Sequence, residues 1–279
     1  MRKVSAHKIS EVIARLCIEA NTNLRRDVQK QLSLSLAREG RRQPRRILQA
    51  LLDNADCARN LKLAICQDTG LPHVFVELGQ KVSVSGNFIK AINRGIEQGY
   101  KEGRLRNSII AHPLRRERQP EFSPGVVHID IVAGRYIKLT VLPKGFGCEN
   151  KSKVKMFNPT EKIDRIKDFI IQKVKEAGPE ACPPFIVGVG IGGGFEKAAS
   201  LAKIALLRPI DKRNPERLLA NLERELHKRI NQLGIGPMGL GGKTTCLGVN
   251  ILTCPTHIAG LPVAVNISCH ALRSATERL

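Results

Sequence analysis

Tryptophan is absent from this sequence, and aromatic residues of any kind are scarce. Only 4% of the 279 residues are Phe, Trp or Tyr, and no RNP-type aromatic motif or zinc-finger spacing occurs. Proteins that stack on bases or read nucleic-acid grooves depend on such features. The composition therefore argues against a nucleic-acid-binding protein, which is kept only as a distant alternative of another functional class.

Acidic residues are also in deficit. The chain has 25 Asp and Glu against 46 Lys and Arg, which gives a formal net charge of +21. Such a balance implies an acidic partner, an anionic substrate or nucleic acid. The basic clusters RRQPRR (residues 41–46) and RRER (residues 115–118) favour nucleic acid at first sight. We interpret them as solvated basic faces, because the aromatic and motif signals of nucleic-acid binding are missing.

Long apolar runs are missing as well. No stretch approaches the roughly 18 uninterrupted apolar residues of a membrane span, and the N-terminus MRKVSAHKISEVIARLC lacks the apolar centre of a secretory signal. We therefore expect a cytoplasmic protein without a membrane partner. The 42% of hydrophobic residues are enough to build a sizeable core.

Hydrophobic periodicity predicts an α/β fold, in which a helical N-terminal region packs on mixed-sheet α/β subdomains. Helices are predicted in the first 60 residues, at 85–103, at 158–178, directly after a glycine-rich turn near residue 193, and at 214–234. Strands are predicted before that turn, at 245–253 and at 261–268, and a hairpin at 126–145 with its turn at 133–135. We predict one domain over residues 1–279, which could consist of two closely packed subdomains.

Two glycine-rich segments resemble phosphate-binding motifs only superficially. Gly188, Gly190 and Gly193 satisfy G-x-G-x-x-G, and Asp211 follows at about the expected distance. However, the helix after this turn leads to a second helix instead of a strand, so a dinucleotide site is disfavoured. The segment GLGGKTT has Pro237 where a Walker A motif needs glycine. The glycine-rich turn near residue 193 therefore predicts only a helix N-terminus, which can attract an anion of any kind.

The eight cysteines are scattered along the chain, which in a reducing compartment makes them buried thiols or metal ligands. Cys66, Cys182 and Cys269 lie at the ends of predicted elements, beside polar or glycine-rich turns, where a thiolate can point into a cleft. No short Cys or His pair suggests tetrahedral zinc. Widely spaced single thiolates are compatible with an iron–sulfur cluster assembled by the fold, although spacing alone is weak support.

The segment LKLAICQDTGLPHVFVE (residues 61–77) has a cysteine, an amide, a carboxylate and a threonine in succession between two apolar runs. We predict a strand-to-turn junction here. Asp-Thr-Gly is most often an ordinary turn, so the residues alone give its polar groups either a structural or a functional role.

Six stretches resemble one known family: ICQDTG, GRLRNSII, PKGFGCEN, CPPFIVGVGIGGGFEKAASLAKIALLRPI, GIGPMGLGGKTT and HIAGLPVAVNISCH. From about residue 60 to its end, the chain is similar to the α subunit, or N-terminal half, of the iron–sulfur class I fumarate hydratases and L-tartrate dehydratases. The resemblance implies the fold of their N-terminal domain and a [4Fe-4S] cluster held by Cys66, Cys182 and Cys269. Cys148 stands where the family usually has serine, and we expect a spectator thiol there instead of a fourth ligand.

The resemblance also implies which residues meet the substrate. Gln67 and Asp68 would contact it, with Asp68 as a proton donor near the departing hydroxyl. Arg106 would clamp a carboxylate bidentately, as guanidinium groups do. Gly147 would offer its backbone, and His257 would bond the substrate or orient its oxygen. The segment Lys243–Thr245 stays open between substrate binding and the organisation of a glycine loop.

The resemblance, carried over to these residues, implies a hydro-lyase subunit that reversibly hydrates fumarate to L-malate, with L-tartrate dehydration as the first alternative. The substrate would be a small dicarboxylate, which the positive charge would attract. The resembled enzymes need a C-terminal domain or a separate β subunit to complete the site. We therefore expect a β subunit as partner, in an α₂β₂ assembly.

Overall fold

The computed structural model describes residues 1–279 and combines helices with β-sheets along the whole chain. The helices are α1 (Ala6–Thr22), α2 (Arg26–Arg38), α3 (Arg42–Leu61), α4 (Phe88–Glu102), α5 (Phe146–Glu149), α6 (Ile163–Ala177), α7 (Phe195–Ala205) and α8 (Arg217–Asn231). The strands are β1 (Arg2–Ser5), β2 (Leu71–Gly79), β3 (Val82–Ser85), β4 (Val126–Val132), β5 (Ile137–Lys144), β6 (Lys153–Phe157), β7 (Phe185–Gly193), β8 (Cys246–Thr256), β9 (Leu261–Ser268) and β10 (Ala275–Arg278). The predicted α/β class is confirmed.

The chain forms two compact units, each built from separate stretches of sequence. The first contains Met1–Leu24, Ala55–Phe146 and Arg273–Leu279, and the second contains Arg25–Asn54 and Gly147–Leu272. No helix in either unit is both long enough and apolar enough to cross a membrane.

The first unit is built on a four-stranded sheet with the order β10-β5-β2-β4. Helices α1 and α4 pack on each other, and α1 also packs on β5. Their apolar side chains share one core with the sheet, because the periodicity of each helix places its large aliphatic residues on one side. The largest buried members of this core include Ile9, Ile13, Leu16, Ile92, Ile96, Tyr100, Ile137 and Leu139.

The hairpin predicted at 126–145 is wrong, although both of its strands exist. Strand β2 lies between β4 and β5, parallel to β4 and antiparallel to β5. The connection at 133–136 therefore passes around the end of β2, where the Gly79 N–H donates to the Tyr136 carbonyl at 2.9 Å. Alternating hydrophobic residues identify a strand but not its partner, and here the partner lies some fifty residues earlier in the chain.

The second unit contains a four-stranded sheet with the order β6-β9-β7-β8. Strand β7 is parallel to β8 and antiparallel to β9. Helices α6 and α8 share a core with one side of the sheet, while α7 packs through Ala198 and Ala202 against Ala264. The helices predicted at 158–178 and 214–234 and the strands at 245–253 and 261–268 all exist.

Gly188 and Gly190 explain the glycine-rich segment in structural terms. A Cβ on Gly188 would lie 2.1 Å from the carbonyl oxygen of Ala202, and one on Gly190 would lie 2.1 Å from that of Ala198. Only glycine lets β7 approach the backbone of α7 this closely. The glycine spacing thus serves helix-to-strand packing.

Gly190→Ala should therefore destabilise the second unit strongly. Overpacking of a core costs about 1–3 kcal/mol, and we expect the upper end of that range because the added methyl would meet backbone rather than a flexible side chain. Urea unfolding followed by circular dichroism measures the loss. Gly260→Ala is the matched control, since a Cβ there would meet no atom within 4 Å; equal stabilities of the two variants would contradict this account of the packing.

Candidate active site

The segment ICQDTG lies in the loop between α3 and β2, so the predicted strand-to-turn junction is wrong. Helix α3 continues to Leu61, and Lys62 then adopts a left-handed conformation with φ 54°. The Leu63 N–H donates to the Ala58 carbonyl at 2.9 Å, which closes the end of the helix. The apolar residues before Cys66 therefore belong to a helix end, and β2 begins only at Leu71.

Asp68 is held in a single orientation by two backbone groups. Its Oδ1 accepts the Gly70 N–H at 2.9 Å, and its Oδ2 accepts the Phe146 N–H at 2.9 Å. Gly70 has φ +74°, and a Cβ there would lie 2.7 Å from the Lys144 backbone nitrogen. A glycine is therefore required at the end of this turn. The turn thus presents a fixed, half-buried carboxylate at Asp68.

Thr69 links the turn to Arg106. The Thr69 side chain is buried, and its hydroxyl accepts the Arg106 N–H at 3.0 Å. The Arg106 side chain is exposed, so its guanidinium can bind an anion while its backbone is fixed. The structure thus brings Gln67, Asp68 and Arg106 onto one short region of the first unit.

Tyr100 supports the same turn from helix α4. Its hydroxyl donates to the carbonyls of Thr69 at 2.8 Å and Gly70 at 3.1 Å, and the side chain is 1% exposed. Burial raises the pKa of Tyr100 well above its ordinary value, so the hydroxyl keeps its proton and remains a donor. No sequence pattern indicated Tyr100, and the role of Thr69 within ICQDTG was left open between structure and function.

In the second unit, Cys182 and Cys269 lie at the same end of the sheet. Cys182 precedes β7, and Cys269 follows Ser268, which pairs with Ile186 of β7. The His270 Nδ1 is 3.1 Å from the Cys182 carbonyl oxygen, which connects the two cysteine segments directly. Both thiols are half-buried.

The cysteines fall into three classes of exposure: Cys57 is exposed, Cys254 is half-buried like the three predicted ligands, and the others are buried. Cys66, in the first unit, is half-buried like Cys182 and Cys269, whereas Cys17 and Cys246 are buried. Burial raises the pKa of Cys17 far above its ordinary value and that of Cys246 to about 12, which makes them poor ligands because metals bind the thiolate.

Cys148 is a buried thiol that donates to a backbone carbonyl. Its Sγ lies 3.2 Å from the oxygen of Ala181. This contact agrees with the expected spectator thiol. No group of three or more His, Cys, Asp and Glu side chains gathers closely enough to hold a metal ion. The ligands of an iron–sulfur cluster need not gather in that way, because each thiolate binds a different iron atom.

His257 lies at the opposite end of the second unit's sheet from the two cysteines. It follows Thr256, which pairs with Gly193 at the end of β7, whereas Cys182 precedes the start of that strand. Nine residues of β7, at about 3.3 Å each, separate the two ends by roughly 25 Å. One copy of this chain therefore does not bring His257 to the cysteines. The His257 Nδ1 accepts the Ala259 N–H at 3.1 Å.

Gly147 directly follows Phe146, whose N–H donates to the Asp68 carboxylate. A Cβ at Gly147 would have no atom within 4 Å. Its backbone is therefore open to a ligand, as its predicted role requires.

The segment Lys243–Thr245 is organised by Glu39 of the same unit. The buried Glu39 carboxylate accepts the N–H groups of Lys243 at 2.7 Å and Arg41 at 3.0 Å. The buried Thr245 hydroxyl accepts the Gly236 N–H at 3.1 Å. Of the two roles left open by the sequence, these contacts favour the organisation of a glycine loop for Lys243 and Thr245.

Glu39 should make this loop sensitive to acid. Burial by itself would raise the pKa of Glu39, but hydrogen bonds from the Lys243 and Arg41 backbones, with the charges of both residues, outweigh it and hold the pKa below its usual 4.5. A depressed pKa contributes stability that is present above pH 4.5 and is lost as the pH falls through the folded-state pKa. The free energy of unfolding should therefore differ between wild type and Glu39→Gln near neutral pH, and the difference should shrink in acid.

Urea titrations across this pH range measure the difference, with Glu117→Gln as the control at an exposed carboxylate. A Glu39→Gln difference that stays constant down to about pH 3 would contradict the proposed charge effect.

Comparison of this sequence with known proteins identifies one family. Residues 10–278 match the family described as Fumarate hydratase (Fumerase). The chain is 39% identical over 279 residues to a Methanocaldococcus jannaschii protein named "Putative L(+)-tartrate dehydratase subunit alpha", covering 98% of both chains. It is 30% identical over 281 residues to the L(+)-tartrate dehydratase subunit alpha of Escherichia coli strain UTI89, covering 100% of this chain and 93% of the relative. The chain therefore belongs to the fumarate hydratase family of hydro-lyases.

Proposed function

We propose that this chain is the α subunit of a cytoplasmic hydro-lyase that reversibly hydrates fumarate to L-malate with a [4Fe-4S] cluster. The observation that carries the proposal is the ICQDTG turn, where a half-buried cysteine precedes a carboxylate fixed by two backbone N–H groups. Such a turn joins a metal ligand and a proton-handling group on one rigid segment, as a hydro-lyase requires.

Cys66, Cys182 and Cys269 would hold the cluster. Their half-buried thiols fit this role better than the buried Cys17 and Cys246. His270 supports the Cys182 backbone in the way that outer-shell groups orient metal ligands. With three protein thiolates, a bound cluster would supply an open iron that acts as a Lewis acid towards the hydroxyl leaving as water.

The residues around Asp68 would bind and orient the dianion. The exposed Arg106 guanidinium suits a carboxylate, to which it can donate two parallel hydrogen bonds. The exposed Gln67 side chain and the open Gly147 backbone would add neutral donors. The Asp68 carboxylate would hold the proton that passes to the departing hydroxyl, and its fixed orientation would keep that proton aimed at one atom.

We propose that His257 serves the site of a second copy of the chain. Within one copy it lies at the far end of the sheet from Cys182 and Cys269, and a four-carbon dicarboxylate is too short to reach both ends. A symmetric α₂β₂ assembly would allow each α chain to lend this histidine to its neighbour.

A separate β subunit would complete the site. The relatives in Methanocaldococcus jannaschii and Escherichia coli carry the name subunit alpha, which supports a partner for this chain too. A partner would also exclude water from the exposed Gln67 and Arg106 and so strengthen their hydrogen bonds to substrate. The base that removes the carbon-bound proton would come from this partner.

L-Tartrate dehydration is the second candidate, and the names of the same relatives favour it. Both substrates are four-carbon dianions that an Arg–Gln–backbone set can bind. Anaerobic assays of the reconstituted αβ complex with fumarate, L-malate, mesaconate and L-tartrate separate the two. Turnover greatest with fumarate and malate supports the proposal, whereas turnover greatest with tartrate replaces it by the second candidate. No turnover by an iron-loaded complex with any of the four would refute both.

A further inference from the structure

Arg273 is a buried arginine whose guanidinium is only partly used. The residue is 3% exposed, and its Nη2 donates to the Asp68 backbone carbonyl. Its Nε and Nη1 are buried and have no hydrogen-bond partner. No sequence motif marks this residue, which follows Cys269 by four positions.

Two other poorly exposed arginines each pair with a carboxylate, although the Arg208 Nε also lacks a hydrogen-bond partner. Arg25 pairs with Asp27 at 2.5 Å and also donates to two carbonyls. Arg208 pairs with Glu223 at 2.6 Å and also bonds the Asn250 side chain. Arg273 donates to a backbone carbonyl, whereas Arg25 and Arg208 each donate to a carboxylate.

An arginine cannot lose its charge by deprotonation. A buried positive charge without a negative partner is strongly unfavourable, and so are buried N–H groups without an acceptor. Such a group contributes little to the stability of the metal-free fold. The unpaired N–H groups therefore point to an anionic centre that is present only in the loaded protein.

The position of Arg273 indicates which centre this is. Arg273 and Tyr100 together bind the carbonyls of three consecutive residues, Asp68, Thr69 and Gly70. Burial raises the pKa of Tyr100, and the positive charge of Arg273 partly offsets that effect. Arg273 thus lies behind the turn that carries Cys66 and the Asp68 carboxylate.

We propose that Arg273 is a positioning residue and the counter-charge of this turn, an inference that rests on the proposed function. It fixes Asp68 through the carbonyl oxygen. Its positive charge offsets the negative charge that a cluster-bound Cys66 thiolate brings to the turn. In the metal-free chain this charge is unbalanced, and in the loaded enzyme it is balanced.

The test compares wild type, Arg273→Met and Arg273→Lys in the αβ complex, both metal-free and anaerobically loaded. Methionine removes the charge and the unsatisfied donors, so the metal-free Arg273→Met complex should unfold at the same temperature as wild type or higher. After loading, its cluster should have a lower reduction potential, because a buried positive charge that favours the added electron is gone. Its kcat should fall by about tenfold to a hundredfold through misplacement of Asp68, with KM little changed.

Arg273→Lys separates charge from geometry. It keeps the charge, so the reduction potential should stay near that of wild type, but it lacks the planar fork, so kcat should still fall. Arg208→Met is the control for a half-buried arginine outside the turn. It leaves Glu223 without its charged partner, so it should lower the unfolding temperature without moving the potential.

A wild-type potential and kcat in loaded Arg273→Met would overturn the inference, as would a wild-type kcat in Arg273→Lys. The lysine variant keeps the test decisive if the methionine variant does not fold. Failure of the proposed function has a different signature, because the wild-type complex itself would then take up no iron and hydrate no fumarate.

Discussion

Cys182→Ser should strip most of the iron from the anaerobically reconstituted complex and abolish nearly all hydration activity. Serine is a poor substitute, since the thiolate is what binds the cluster iron. The same result is expected for Cys66→Ser and Cys269→Ser, because the proposed cluster has three protein ligands. Iron per chain, measured by a colorimetric assay on anaerobic protein, gives the answer directly.

Cys57→Ser and Cys246→Ser are the matched controls, one at an exposed thiol and one at a buried thiol. Both should retain wild-type iron. An iron-replete Cys182→Ser complex would refute the ligand assignment. Loss of iron from Cys148→Ser would show a fourth thiolate ligand, contrary to the spectator role that its contact with Ala181 supports.

Asp68→Asn and His257→Ala should each lower turnover by roughly 10²–10⁴-fold, as the loss of a proton-transfer group does. A mixture of the two variants should recover part of the activity. If His257 acts on the site of a second copy, half of the randomly formed α pairs contain one chain of each variant, and each mixed pair has one intact site. The mixture should therefore reach about a quarter of the wild-type rate. The assay is fumarate hydration after co-reconstitution of the two variants at equal concentrations.

Asp130→Asn provides the control, because Asp130 is exposed on β4 and should keep full activity alone. If the mixture of Asp68→Asn and His257→Ala is no more active than either variant by itself, His257 does not act across copies. The thermal midpoint of Asp68→Asn should be measured alongside, since Asp68 also receives two backbone N–H groups.

Local sequence patterns predicted the elements better than their arrangement. Helices α6 and α8 have strong apolar periodicity, and both were predicted, although α6 begins only at Ile163 and α8 only at Arg217. The hairpin at 126–145 was wrong because β2 takes the position between its two strands. The junction before Cys66 was wrong because Lys62 ends helix α3 in a left-handed conformation. Lysine carries no sequence signal for that conformation, unlike glycine or asparagine.

In the candidate site, too, residues that are neighbours in sequence were predicted, whereas residues distant in sequence were not. Cys66, Gln67 and Asp68 are neighbours in sequence, and a family motif was enough to propose them. Tyr100 and Arg273 reach that turn from 31 and 205 positions away, so no local pattern connects them to it. The distance between His257 and the cysteines also depends on strand register, which only the folded chain provides.

In the proposed function, this chain carries one part of a shared hydro-lyase site. The direct measurement is the rate of fumarate hydration by the anaerobically iron-loaded chain, first alone and then after addition of the β subunit. We expect a rate near zero for the chain alone and full turnover with the partner, and we expect exposure to air to remove both the turnover and the iron. Full turnover by the isolated chain, or a loaded αβ complex that is inactive with fumarate, L-malate, mesaconate and L-tartrate alike, would rule out the shared site.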